Sequence, residues 1–408
     1  MSASNAPLKG NAVVGQSGGP TVVINQSLVG VVEGLRGAPE INKILGAVHA
    51  VSGIVKDEFL ELQDIPQDRL NRIAGTPSAA LGSSRDKPDE EYCARMFETF
   101  KKRDVHYFFY IGGNDSSDAC RIVNELAQKS GYELRCFHVP KTIDNDLVHN
   151  DHTPGYGSAA KFVAQAMMGD NLDNRALPGI KIDVIMGRHA GFLTAASALA
   201  RQNPDDGPHL IYTPEVAFDE DKFLADVERV YTKQGRCLIA VSEGISDANH
   251  TAMAVRLAEE QGHHVEKDSH GNVQLSGSGA LGDFLTVHIK NNLGKKLRVR
   301  ADTFGYMQRS FAGCVSAVDA EEAREAGRKA AELALSGDID GSIAIQREPG
   351  ERYKVRYQRI ELSDVAGKTR TLDRKFIVDD NNIADSFREY ALPIVGKLPV
   401  VDSLRFKR

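Results

Sequence analysis

Apolar and polar positions along the chain repeat one pattern: a short apolar run, a turn bearing glycine or charge, then an amphipathic stretch. Asn11-Ala-Val-Val-Gly15 runs into the glycine loop Gly15-Gln-Ser-Gly-Gly19, and a helical pattern follows from about Thr21 to Leu35. Val105 to Ile111 (VHYFFYI) ends in Gly112-Gly113, ahead of a helix reaching about Lys129. Leu134 to Val139 ends in Pro140-Lys141-Thr142. Lys181 to Met186 ends in Gly187-Arg188, ahead of a helix over Ala190 to Ala200, and Leu238 to Val241 ends in Glu243-Gly244. Apolar strands alternating with amphipathic helices predict an α/β fold with parallel sheets covered on both faces.

This layout already points to a site. Open α/β sheets bind ligands outside the carboxyl ends of their strands. The glycines and charged residues gather there: Gly18-Gly19, Gly112 to Asp115, Lys141 to Asp146, Gly187-Arg188 and Glu243. The His-, Gly- and Ser-rich stretch from about Asp247 to Gly279 reads as an excursion. The tail from Ile343 to Arg408 alternates apolar and charged residues, as strands added to a complete core do.

Length and charge narrow the class. The chain has 408 residues, enough for two domains. Hydrophobic residues make up 41% and charged residues 26%, an ordinary globular balance. A net charge of −6 argues against nucleic acid as partner, which needs a basic footprint. Cys93, Cys120, Cys136, Cys237 and Cys314 show no C-x-x-C spacing, and an odd number in a large chain suits a reducing compartment. The start, MSASNAPLKGN, lacks the pattern of a signal peptide, and no run approaches a membrane span, so a cytoplasmic location without membrane contact is expected.

Three apparent motifs are set aside. Ala366-Gly-Lys-Thr369 ends like a Walker A loop, but Leu362 stands at the leading glycine position, so a surface turn is expected. Gly155-Tyr-Gly-Ser-Ala-Ala160 resembles a dinucleotide fingerprint, yet Asn150 to Pro154 does not read as a strand. His263, His264 and His270 lie in a polar stretch without Cys or an i,i+4 pair, as solvated loop histidines do. The strong signal is Pro140-Lys-Thr-Ile-Asp-Asn-Asp146. Two carboxylates two residues apart at a strand end, beside Lys and Thr, suit phosphoryl transfer: one accepts a hydroxyl proton, the other lies near a metal.

With these residues the sequence resembles the phosphofructokinase family, in particular its pyrophosphate-dependent branch. The matching pieces come in family order: Gly15 to Gly19, Leu81-Gly-Ser-Ser-Arg85, Gly112-Gly-Asn-Asp-Ser116, Lys141 to Asp146, Met186-Gly-Arg188, Ser242-Glu-Gly244 and Phe304-Gly-Tyr-Met-Gln-Arg309. The resemblance implies two Rossmann-like domains with parallel sheets and an active site in the interdomain cleft. It implies transfer from pyrophosphate to the 1-hydroxyl of fructose 6-phosphate, reversibly, in glycolysis and gluconeogenesis. Asp144 is then the general base and Thr142 a contact to the transferred group. Met186, Gly187, Arg188 and Glu243 belong to the sugar-phosphate site, and Arg300, Tyr306 and Arg309 clamp the sugar and its 6-phosphate. Gly18 and Gly19 face the donor phosphates, with Arg85 a cation nearby. Mg2+ is the implied metal, with Asn114 and Asp146 as its candidate residues. Asn114 departs from relatives that carry a carboxylate there. Gly179 departs from ATP-dependent relatives that carry an Arg there.

Donor choice falls on Asp115 and Lys141, where ATP-using relatives have glycine. A carboxylate at 115 fills space needed by a nucleotide's α-phosphate and repels it. Two charges ~4 Å apart at an effective dielectric near ~20 cost ~4 kcal/mol, roughly a thousandfold in affinity. Lys141 supplies the opposite charge to pyrophosphate. The expected division is residues 1–150 with a return over 310–345, then 151–309, then a C-terminal extension over 346–408, in a homodimer or homotetramer. Two alternatives stand beside this reading: an ATP-dependent kinase of the same fold, and a non-catalytic sugar-phosphate-binding subunit.

Overall fold

The computed structural model describes residues 8–86, 88–260, 279–402 and 404. Its strands in chain order are β1 (Gly10–Gln16), β2 (Ile41–Ala47), β3 (Phe59–Glu61), β4 (Val105–Gly112), β5 (Arg135–Pro140), β6 (Ile180–Ile185), β7 (Leu210–Tyr212), β8 (Cys237–Ser242), β9 (Val299–Thr303), β10 (Asp340–Arg347) and β11 (Val355–Ile360). Contacts divide the chain into two units: Met1–Tyr156 with Ala317–Arg370, and Gly157–Ser316 with Thr371–Arg408. The tail expected as one extension over 346–408 is thus shared, its part up to Arg370 belonging to the first unit and the rest to the second.

The first unit holds a seven-stranded sheet in the order β11-β10-β5-β4-β1-β2-β3. Its five inner strands are parallel, while β3 and β11 run antiparallel at the two edges. Tyr107, Phe109 and Ile111 of β4 enter one core; Phe108 and Tyr110 enter the core on the opposite face. Burial on both faces is why VHYFFYI reads as an unbroken apolar run rather than an alternation. From β1 the chain moves outward to β2, then returns to lay β4 on the other side of β1, which makes the carboxyl ends of β1 and β4 a topological switch point.

The second unit holds a four-stranded, wholly parallel sheet in the order β7-β8-β6-β9. The helix expected over Ala190 to Ala200 is a single turn, Phe192–Ala196, tightening into a 3₁₀ turn over Ser197–Ala200. The expected excursion contains a helix, Met253–Glu260, and His263, His264 and His270 lie outside the described residues. Among the described residues no helix is long and apolar enough to cross a membrane.

A buried ionic network fixes the loop leaving β5. His152 is almost wholly buried; its Nδ1 lies 2.9 Å from Asp151 Oδ2 and its Nε2 meets Glu322 Oε2. The Tyr353 hydroxyl donates to Glu322 Oε1 at 2.6 Å, and Arg347 pairs with Asp151 at 3.1 Å. Burial alone lowers the proton affinity of His152, but hydrogen bonds to Asp151 and Glu322 override it and push its pKa up to about 9. A raised histidine stabilises the folded state fully below its unfolded pKa near ~6.5, and that gain disappears as pH rises through the folded value. The imidazolium therefore contributes roughly 3 kcal/mol at neutral pH and below, on linkage arithmetic. The expected outcome is that the melting-temperature gap between the protein and His152→Gln is widest below pH 6.5 and closes towards pH 9. Melting curves across that range check it; a gap independent of pH contradicts it.

Candidate active site

Register builds the first half of the site. Gln16 of β1 lies opposite Ile111 of β4, and Gly112 lies opposite Pro140 of β5. The loops after β1, β4 and β5 therefore start side by side. The loop after β1 takes a left-handed turn at Gly18 (φ +74°), a conformation glycine adopts without steric cost. Gly18 N–H donates to Ser84 O at 3.0 Å and Ser83 Oγ donates to Gly18 O at 2.7 Å. These bonds bring the segment carrying exposed Arg85 to the glycine loop. Lys141 is only 4% exposed, and its ammonium donates to Gly19 O at 2.9 Å, joining the loops after β5 and β1.

The loop after β4 leads directly into helix Asn114–Ser130, with Gly113 as N-cap. Asp115 is exposed in its first turn, where the positive end of the helix dipole favours a carboxylate. Asn114 Nδ2 donates to Asp146 Oδ2 at 3.3 Å, while Asn114 Oδ1 is buried with no hydrogen-bond partner. Asp144 N–H donates to Thr142 Oγ1 at 3.1 Å, which turns the backbone back after the threonine. Burial, with the charge of Asp144 next in effect, raises the pKa of Asp146 above the ordinary carboxylate range. An orphaned amide oxygen beside a carboxylate forced into low dielectric is a hard oxygen donor set, and it fits a small divalent cation.

The second unit assembles its own group at the ends of β6, β8 and β9. Gly187 (φ +131°) turns the chain after β6, and a Cβ there would stand 2.5 Å from Ala190 O. Ser242 Oγ donates to Gly187 O at 2.7 Å, and buried Glu243 follows from the end of β8. Arg188 is partly buried, and its Nε has no hydrogen-bond partner. Gln308 accepts from Met186 N–H at 3.3 Å and donates to Gly305 O at 2.9 Å, tying Met186 to the turn after β9. In that turn the Arg309 guanidinium lies 4.9 Å from the centre of the Tyr306 ring. Arg300 stands apart from this group. It is exposed, and its register partner is Lys181 near the opposite end of β6 from Met186.

Two residues in these networks escape a reading by motif. Gln308 sits inside Phe304 to Arg309, but only the fold reveals that it reaches Met186. Arg370 donates its Nε to Asn145 O at 2.8 Å, across 225 positions of sequence, and no local pattern announces it. Two of the motifs excluded on sequence border the loop after β5, Gly155 forming a parallel bridge with Thr142 and Thr369 an antiparallel one with Leu147. Lys368 is exposed in a turn after helix Leu362–Val365, and Gly155 follows no strand, its N–H donating to Asp319 Oδ1 at 2.8 Å. Asp170, Asp183 and Asp302 of the second unit form an acidic cluster around Lys181, which pairs with Asp302 and lies 3.7 Å from Asp170 and 3.8 Å from Asp183. The ammonium already occupies its centre.

Comparison with known proteins bears on the fold and the family. The phosphofructokinase family profile matches residues 11–334. The chain is 55% identical over 402 residues, 98% of each chain, to a pyrophosphate--fructose 6-phosphate 1-phosphotransferase of Rhodospirillum rubrum. It is 36% identical to the enzyme of the same name from Halomonas elongata, over 94% of this chain and 91% of that one. The crystal structure of a pyrophosphate-dependent phosphofructokinase from Marinobacter aquaeolei superposes with a TM-score of 0.82 at 31% identity, covering 96% of this chain and 94% of that chain. A match across four-fifths of the chain, joined to likeness over nearly the whole length to several named relatives, leaves one conclusion: the chain belongs to the phosphofructokinase family.

Proposed function

We propose that this protein transfers a phosphoryl group reversibly from pyrophosphate to the 1-hydroxyl of fructose 6-phosphate, giving fructose 1,6-bisphosphate and phosphate. The observation that carries the donor assignment is Lys141, a buried ammonium held on the carbonyl of Gly19. Close likeness over nearly the whole length to a pyrophosphate-using relative supports the same reading.

Asp144 takes the proton from the 1-hydroxyl as its oxygen attacks phosphorus, and the bond to the leaving phosphate breaks. Gly18, Gly19, Arg85 and Lys141 hold the pyrophosphate, and Thr142 contacts the group in flight. Fixed cations at a site of developing charge lower the barrier because they need no reorganisation. Asn114 and Asp146 would hold Mg2+, which supplies charge neutralisation on the donor oxygens. Met186, Gly187, Arg188, Glu243, Tyr306 and Arg309 bind the sugar phosphate, the unpartnered Nε of Arg188 suiting an anionic oxygen. Arg300, exposed and level with Lys181 rather than Met186, is the member of the expected sugar-phosphate clamp that this register supports least, and the protein is taken as a homodimer or homotetramer. Five free, buried cysteines accord with a cytoplasmic enzyme. Asp115 discriminates against ATP by charge and volume.

A coupled assay with pyrophosphate and ATP side by side tests the assignment; pyrophosphate is expected to support turnover and ATP is not. Asp144→Asn is expected to lower kcat by ~10²-fold or more with little change in sugar-phosphate affinity. Steady-state kinetics check this, and a near-normal kcat removes Asp144 from the role of base.

Donor choice has its own test. Asp115→Gly is expected to admit measurable ATP-dependent turnover, and Lys141→Gly to damage mainly the pyrophosphate reaction. The double substitution should shift preference towards ATP further than either alone, since neighbouring sites couple. The readout is kcat/KM for both donors in all four proteins. Continued inactivity with ATP in both Asp115→Gly proteins means that the donor is selected elsewhere.

A further inference from the structure

We propose that Arg370 is a positioning residue for phosphoryl transfer: through Asn145 it sets the direction of the turn that carries Asp144 and Asp146. The inference rests on the functional reading above. Arg370 lies beyond the segment that the family profile matches, which ends at residue 334.

The contacts converge on one loop. The backbone of the tail pairs with it first: Thr369 forms an antiparallel bridge with Leu147, and Arg370 N–H donates to Asp146 O at 2.8 Å. The guanidinium then grips both ends. Its Nε donates to Asn145 O and one terminal nitrogen to Asn145 Oδ1, each at 2.8 Å. The same nitrogen donates to Asp151 O at 2.7 Å, and the other terminal nitrogen donates to Asn150 O. A planar fork with several donors holds several oxygens in one fixed geometry, which a point-like ammonium does not reproduce.

Asn145 needs this grip. It is fully buried and left-handed (φ +60°), a conformation that is strained for a residue with a Cβ and persists only when its surroundings enforce it. Asparagine tolerates it better than most residues. Because Asn145 separates the two aspartates, its backbone angles determine where their side chains point. The loop's far end is anchored independently, since Asp151 also pairs with Arg347 and His152. Arg370 therefore spans a loop whose other support is already rigid, and the freedom it removes is that of the turn at Asp144, Asn145 and Asp146.

Arg370→Lys and Arg370→Ala, each with and without Asp144→Asn, provide the test. In the wild-type background Arg370→Ala is expected to lower kcat per folded molecule by ~30-fold or more while both KM values stay within ~3-fold. In the Asp144→Asn background the same change should cost several-fold less than in the wild type, because the positioning of Asp144 is already lost and only that of Asp146 remains. Arg370→Lys should fall between, and millimolar guanidinium should restore part of the kcat of Arg370→Ala. Equal losses in both backgrounds, or full kcat in Arg370→Lys, overturn the proposal and leave Arg370 a staple for the tail. Hydrogen exchange reads the turn without any assay: the amides of residues 144–147 should exchange ~10-fold faster in Arg370→Lys, and unchanged rates also overturn it. An absence of pyrophosphate turnover in the wild type is a different result. It counts against the functional reading, while the exchange rates still decide whether Arg370 holds the turn.

Discussion

The parallel register of β1, β4 and β5 is the constraint on which the candidate site depends. Gln16 opposite Ile111 and Gly112 opposite Pro140 bring three loops to one level. A slip of one residue exchanges the two faces of a strand. In β4 it would send Phe108 and Tyr110 into the core that takes Tyr107 and Phe109, and the reverse. Both faces are buried, so neither core tolerates the exchange cheaply. The polar groups thus occupy positions that apolar packing has already decided. No chemistry-bearing residue has to find its own place.

Cations then lock what the sheet sets out. Taking a charge out of water costs several kcal/mol unless partners replace the lost hydration. Lys141 finds the carbonyl of Gly19, His152 finds Asp151 and Glu322, and Arg370 finds Asn145 and two further carbonyls. All of these partners but Glu322, on helix Ala317–Leu335, lie on loops, and each bond removes freedom from a loop segment. Buried or half-buried cations bonded to loops are a costly way to stabilise a fold and an effective way to hold a group of side chains still. The placement of three such groups around residues 141–152 follows that second logic.

Much of this was legible in the sequence, and the reason is local. A strand buried on both faces announces itself as an apolar run, and a strand-end loop announces itself by glycine and charge, so β1, β4, β5, β6 and β8 lie within a residue or two of expectation. The left-handed turn at Gly18 was visible as a glycine. What sequence did not disclose is long-range. The tail alternates apolar and charged residues, but nothing local says that it splits at Arg370 between two units, or that Arg370 returns to Asn145. The same holds for Arg300. The family resemblance groups it with Arg309, whereas strand register sets it beside Lys181. The antiparallel edge β3 was also hidden, since a three-residue, half-exposed edge strand carries no continuous apolar signal, whereas β11 lies in the tail whose alternation announced an added strand.

One pairing in the site limits how it can vary. A Cβ on Gly18 would stand 3.0 Å from the Lys141 ammonium, and Gly18 also needs its left-handed backbone. Two separate requirements therefore hold glycine at 18, one conformational and one set by the cation. A side chain there would strain the turn and press on the ammonium, which would have to leave the Gly19 carbonyl. Removing the lysine relieves only the second requirement. The loop keeps its glycine for backbone reasons, while the space beside it loses a buried positive charge. A small, highly charged donor takes most of its binding energy from charge, whereas a larger donor draws on room and on contacts elsewhere. On the proposed reading position 141 therefore moves the balance between them while the left-handed turn at Gly18 keeps its own backbone reason, which makes 141 a point where donor preference is adjustable and position 18 a point where it is not.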